Sequence, residues 1–344
     1  MKSITYIKCL LGVAMLSVAC SKADSDEGSF DTDSLPITFS TTKTQLSLSA
    51  KASVTAAEGT TDFGSYSVST CSRGQVASRV SSTGFEEGDQ IGIYLYYNYW
   101  FDEYAESTIY DDATLTIGST SNSLDPQKLW TFSSIGGNVP ASLHAEAYYP
   151  KAAGVEFTYG SGSHLVWEHD STKDLLIASK VYGWWTYSNS EDATNIGALF
   201  KEYITVTLGG TVDLSFEHQL ATLSFYIYKA SDITDVLTIE SVKINYTCAE
   251  SFDSSTSSSW SETTITKESV LTVSDGGTLS TTAPTTPLTF ENDIFLPPNT
   301  VINNIAFSFD GDDGEYTYTW HPHIVGMEVL NYQITFELDP NRNN

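Results

Sequence analysis

The sequence predicts an all-β protein arranged as two consecutive β-sandwiches. Short apolar runs with a period of two recur at roughly 8–12-residue spacing, the signature of sandwich strands. The 20 Tyr, 16 Phe and abundant Ser and Thr suit pleated, half-buried surfaces. Helical periodicity is absent except for a candidate turn near residues 193–200. A chain of 344 residues is long enough for two such sandwiches.

The N-terminus carries its own pattern. Lys2 and Lys8 precede a short apolar run over residues 9–18, and the small residues Ser17 and Ala19 flank the approach to Cys20. This run is too short to span a bilayer of ~30 Å and has the layout of a secretory signal. A cysteine directly after the small residue resembles a bacterial lipoprotein signal, with residues 1–19 removed and Cys20 lipidated. Leu16 lies one place further out than such signals prefer, and Ser17 takes its position. Residues 20–34 form a polar, acidic tether with too little apolar surface to fold alone. Acidic residues shortly after a lipidated cysteine also resemble the export signal of surface lipoproteins in some Gram-negative anaerobes.

The N-terminal sandwich is expected over residues 35–210. Its first strand lies at about 36–49, where apolar positions run Ile37/Phe39 and then Leu46/Leu48, with a change of parity near Thr42. Residues 51–84 read as a Ser/Thr/Gly-rich linker with few core candidates, and they carry Arg73 and Arg79. A turn at Glu87-Gly88-Asp89 then leads into Ile91, Ile93 and Leu95. Residues 145–149 and 174–179 (DLLIAS) read as further strands. A second sandwich is expected over 211–344, the boundary falling at Gly209-Gly210. Its strands alternate at Val212/Leu214/Phe216, Leu223/Phe225/Ile227, Val242/Ile244/Tyr246 and Tyr332/Ile334/Phe336/Leu338.

Charge and cysteine content narrow the function. With 16 Lys+Arg against 43 Asp+Glu the net charge is −27, which repels phosphate backbones and argues against nucleic acid as a partner. Once Cys9 leaves with the signal and Cys20 takes lipid, only Cys71 and Cys248 remain, and their pairing is open. His321-Pro322-His323 has no third ligand and reads as a loop pair. The turn at residues 310–315 lacks the spacing of a calcium loop. His218 reads as a structural residue at a bend. No GxSxG, HExxH or P-loop occurs, so neither an enzyme nor a cofactor is expected.

Three segments in order carry a family resemblance: SRG at 72–74 followed by FEEGDQIGIY at 85–94, DLLIAS at 174–179, and LSFEHQLATLSFYI at 214–227. With the lipoprotein-like start and the closing NYQITFEL, the chain resembles the fimbrillin family of pilus subunits. That resemblance implies two tandem transthyretin-like, Greek-key β-sandwich domains and export as an outer-membrane lipoprotein. It also implies cleavage by an arginine-specific protease, for which Arg73 and Arg79 are the candidates. The first strand is then lost, and a strand from another fimbrial subunit fills the groove. Residues 332–338 are either that donor strand or part of a subunit that only accepts one, which favours a tip or accessory position. The alternative is a monomeric glycan-binding surface lipoprotein, with Trp100, Trp184 and Trp185 stacking on sugars. Under either reading the partners lie at the cell surface: other subunits, the outer membrane through the lipid, and a host or bacterial glycan or protein.

Overall fold

The computed structural model describes residues 36–43, 58–61, 64–71, 85–101, 103–129, 140–151, 155–158, 164–182, 211–234, 236–254, 259–273, 277–279, 290, 294–311, 314–322 and 324–339. Among these residues every regular element is a strand, as the alternating pattern predicts. The first six are β1 (Thr38–Lys43), β2 (Glu58–Thr61), β3 (Gly64–Cys71), β4 (Gln90–Phe101), β5 (Glu103–Thr116) and β6 (Ser123–Asp125). They are followed by β7 (Pro140–Tyr149), β8 (Val155–Thr158), β9 (His164–Glu168), β10 (Leu176–Tyr182), β11 (Thr211–His218) and β12 (Ala221–Lys229). The remainder are β13 (Thr238–Ala249), β14 (Ser251–Asp253), β15 (Thr264–Thr272), β16 (Ile294–Leu296), β17 (Val301–Gly311), β18 (Gly314–Trp320) and β19 (Asn331–Leu338).

One sheet has the order β1-β11-β10-β7-β4-β5-β6. Its apolar face gathers Ile37, Phe39, Ile91, Ile93, Leu95, Leu143, Ala145, Leu176, Val212, Leu214 and Phe216 into one core. The sheet curls until its two ends meet. The Ile37 N–H donates to the Lys128 carbonyl at 3.0 Å, and Pro36 bridges Leu129 just past β6. The acidic, aromatic stretch around Trp100 forms the tip of the β4–β5 hairpin, where Trp100 stands opposite Tyr104. Gly92 permits close packing within this sheet: a Cβ there would lie 2.1 Å from the Tyr148 ring.

A second core lies between the five-stranded sheet β16-β12-β19-β3-β2 and the four-stranded sheet β15-β13-β17-β18. Leu223, Phe225, Ile227, Tyr332, Ile334, Phe336 and Leu338 face Val242, Ile244, Ile305, Phe307, Phe309 and Trp320. The alternation inferred from sequence supplies those inward positions, since a strand presents every second side chain to one face. Phe307 and Phe336 meet across the sandwich with ring centroids 4.8 Å apart.

A fourth sheet, β14-β9-β8, joins the two cores over a cluster of Tyr148, Leu165, Trp167, Leu175, Leu220, Phe252 and Phe295. Polar groups are buried beside it. His218 Nδ1 lies 2.8 Å from Asp174 Oδ2, both side chains 3% exposed, so His218 at the end of β11 is structural as expected and pairs with the residue two places ahead of β10. His169 is sandwiched between Trp167 and Tyr246, with centroids 5.9 Å from each. Neither of its ring nitrogens has a hydrogen-bond partner among the described residues. Burial, reinforced by the nearby Lys267 ammonium and opposed by Asp170, pushes His169 down to about 4.

Two expectations are corrected. The linker expected at 51–84 contains the β2–β3 hairpin, and β3 pairs with β19 in the second core rather than belonging to the first half. Its period-two signal was hidden because serines fill the outward positions around Tyr66 and Val68. The Gly209-Gly210 boundary also fails. The strand directly after it, β11, pairs with β1 and β10 and packs in the first core, so the changeover falls at residues 219–220.

Cys248 is a buried free thiol, pushed up to about 11 by desolvation, so it is not bridged to Cys71.

The pH dependence of stability follows from His169. Its folded value lies below its ordinary value of 6.5, so the unfolded chain binds the extra proton between pH 6.5 and about 4. Stability is therefore full above 6.5 and falls on acidification through that window, by on the order of 3 kcal/mol. Urea unfolding across pH 4–7 should show a shallower pH slope in His169→Phe than in the wild type.

Candidate functional site

Two strands placed before Arg73 and Arg79 in the chain each complete a different core. The first is β1, which lies parallel to β11 in register from Thr38↔Thr211 to Lys43↔Phe216. Ile37 and Phe39 are buried, and the Phe39 ring sits 6.5 Å from that of Tyr110. On its other side β1 is held by side chains of the segment around β6. Gln127 Nε2 donates to the Ile37 carbonyl at 2.8 Å, and Asn122 Nδ2 to the Phe39 carbonyl at 3.2 Å. That segment is fixed in turn by Tyr110, whose hydroxyl accepts the Lys128 N–H at 2.7 Å. Burial raises the Tyr110 pKa, with this hydrogen bond pulling the other way. On the polar face, Thr38 and Thr211 hydroxyls meet at 2.8 Å and Ser40 donates to Asp213.

The second is β3, antiparallel to β19 from Gly64↔Leu338 to Cys71↔Asn331, with β2 on its outer side. Val68 enters the second core, and the Tyr66 ring packs 4.2 Å from that of Trp320. Ser65 Oγ donates to Glu337 Oε2 at 3.0 Å. Gly64 allows the closest approach of the ladder, since a Cβ there would stand 2.0 Å from the Glu337 carbonyl oxygen and 2.8 Å from the Phe336 ring. Burying each apolar side chain of β1 and β3 stabilises by ~1.5–3 kcal/mol. Without these strands, β11 and β19 would present unpaired backbone groups next to apolar side chains.

The sites expected from sequence are unevenly represented. Cys20, Arg73, Arg79, Trp184 and Trp185 lie outside the described residues. Both arginines nevertheless fall between β3 and β4 in the chain. Trp100 is described only as a backbone position on β4. His321 is exposed after β18, whereas His323 is outside the described residues. Among the described residues no group of three or more His, Cys, Asp or Glu is placed to hold a metal. Asp310 and Glu315 face each other across the β17–β18 hairpin, as the turn reading predicts. Sequence reasoning missed β3 entirely. The signal that could have found it is the alternation of Gly64, Tyr66 and Val68 with serine.

A family model described as fimbrillin-like matches residues 78–344. The chain belongs to the fimbrillin-like family. The matched range begins after β3, so the strands that fill the two slots lie upstream of it. Among solved structures, this fimbrillin-like chain is similar to a fimbrial protein from Bacteroides vulgatus. Identity is 11% and the TM-score 0.42, over 73% of this chain and 89% of the other. A candidate cell adhesion protein from Bacteroides ovatus matches with 12% identity and a TM-score of 0.42, over 79% and 87%. No curated protein matches the chain.

Gly64→Ala tests the tightness of the β3 slot. It should destabilise the protein by about 1–3 kcal/mol, because the obstructing atom is a backbone oxygen that cannot swing away. Urea denaturation measures the loss, and hydrogen exchange should locate it in β3.

Proposed function

We propose that the chain is a fimbrial subunit, exported as a lipoprotein through Cys20 and assembled by strand exchange after cleavage at Arg73 or Arg79. One observation carries this reading: β1 and β3, one in each core, both lie upstream of the same two arginines. A single cut there severs both strands from the body of the protein. Their departure would open the edges of β11 and β19 together with the apolar seats of Ile37, Phe39, Tyr66 and Val68. A partner subunit's extended segment would restore the backbone hydrogen bonds and the side-chain burial at once. Membership of the fimbrillin-like family supports the reading.

The closing strand β19 favours an acceptor role. It lies between β12 and β3 with Tyr332, Ile334, Phe336 and Leu338 buried, so it is committed to its own core rather than spare for donation. This suits a tip or accessory subunit held at the outer membrane before maturation.

Intact mass and N-terminal sequencing of protein recovered from the cell surface test the proposal. The polymer-associated form should begin just after Arg73 or Arg79. The double variant Arg73→Ala/Arg79→Ala should accumulate as a form beginning at Cys20 and be absent from polymers. Polymers built from chains that still begin at Cys20 would overturn the reading.

A further inference from the structure

We propose that Asn331 makes one end of the β3 slot selective: it favours an occupying strand that places a hydrogen-bonding side chain opposite it. The inference deepens the strand-exchange reading and rests on it. Phe295, Thr222, Asn331 and Cys71 form one row across β16, β12, β19 and β3. Asn331 and Thr222 are each 1% exposed. The Asn331 Oδ1 and Nδ2 and the Thr222 Oγ1 have no hydrogen-bond partner among the described residues. The Thr222 N–H is satisfied by the Leu330 carbonyl at 3.0 Å, so it is the side chains that are left over. Buried polar atoms without partners are rare in native proteins, and three on two paired positions call for an explanation.

The row itself supplies one. On the β16 side it ends at the apolar Phe295, which can offer no hydrogen bond. The position opposite Asn331 on the other side is the only place in the row that changes occupant on strand exchange. In the uncleaved chain that position holds Cys71, and a thiol is a weak donor and a weak acceptor. Serine, threonine, asparagine or glutamine at that position offers the buried Asn331 amide a stronger hydrogen-bond partner than a thiol can. An arriving strand with such a residue is therefore held more tightly than the one it replaces, which gives the exchange a direction. Gly64 at the opposite end of the ladder sets the register, because only glycine clears the Glu337 carbonyl. The fitting partner segment thus has glycine opposite Leu338, apolar side chains opposite Phe336 and Ile334, and a hydrogen-bonding side chain opposite Asn331.

Hydrogen exchange at residues 64–71 of the full-length chain tests this in wild type, Cys71→Asn, Cys71→Ser and Cys71→Val, each alone and combined with Asn331→Leu. Cys71→Asn should exchange about tenfold more slowly than Cys71→Val, and the difference should vanish with Asn331→Leu. Equal exchange in all three Cys71 variants, or a preference that survives Asn331→Leu, overturns the proposal. A second arm uses the chain cut at Arg73 or Arg79 and synthetic peptides spanning residues 58–73 with Asn or Val at position 71. Release of the Asn peptide about tenfold more slowly than the Val peptide supports the proposal. Equal release overturns it and leaves strand exchange standing. Uptake of neither peptide overturns strand exchange itself, while the exchange rates in the uncut chain still decide the preference at Asn331.

Discussion

A sheet edge that borders a buried apolar face must be paired, and both cores of this protein meet that requirement with strands from the same upstream segment. In the second core β19 carries four buried side chains on one face and needs a hydrogen-bonded neighbour on each side. One neighbour, β12, is part of the body; the other, β3, comes from beyond the arginines. In the first core β1 does more than fill an edge. It links β11 to the segment past β6, so removing it opens the curled sheet where its two ends meet. Under the proposed strand exchange, folding of the precursor and assembly of the polymer draw on the same two ladders.

The junction between the cores is built from different forces. The chain passes from β11 to β12 through only residues 219–220, and the small sheet of β14, β9 and β8 packs over that passage. The His218–Asp174 pair and the Ser171–Ser269–Tyr246 hydroxyl chain lie beside it. Buried polar contacts of this kind add little net stability, because desolvation offsets the attraction, but they penalise misplacement strongly. They hold the geometry of the joint while the aromatic cluster around Trp167 and Phe252 supplies the cohesion.

Legibility varied with how each strand is used. Residues 223–227 and 332–338 alternate cleanly because one of their faces is buried, and the structure uses those positions as inward side chains. The 174–179 run was readable as a strand for its continuous apolar character. β3 was not legible, since its polar face is almost all serine and such composition resembles a linker. The candidate site was half legible: alternation at Ile37 and Phe39 marked its first strand, whereas nothing local marked β3 as a partner of β19.

Amino-acid order alone therefore determined the all-β class, the inward faces of most strands and the places of Arg73 and Arg79 between the third and fourth strands. Each is a local property, set by period-two alternation or by residue type at one position. Which core each strand joins was decided only in three dimensions. Parallel pairing of β1 with β11, and insertion of β3 beside β19, bring together segments far apart in the chain. Such contacts depend on which exposed edges remain when the sheets pack, and no local pattern encodes that.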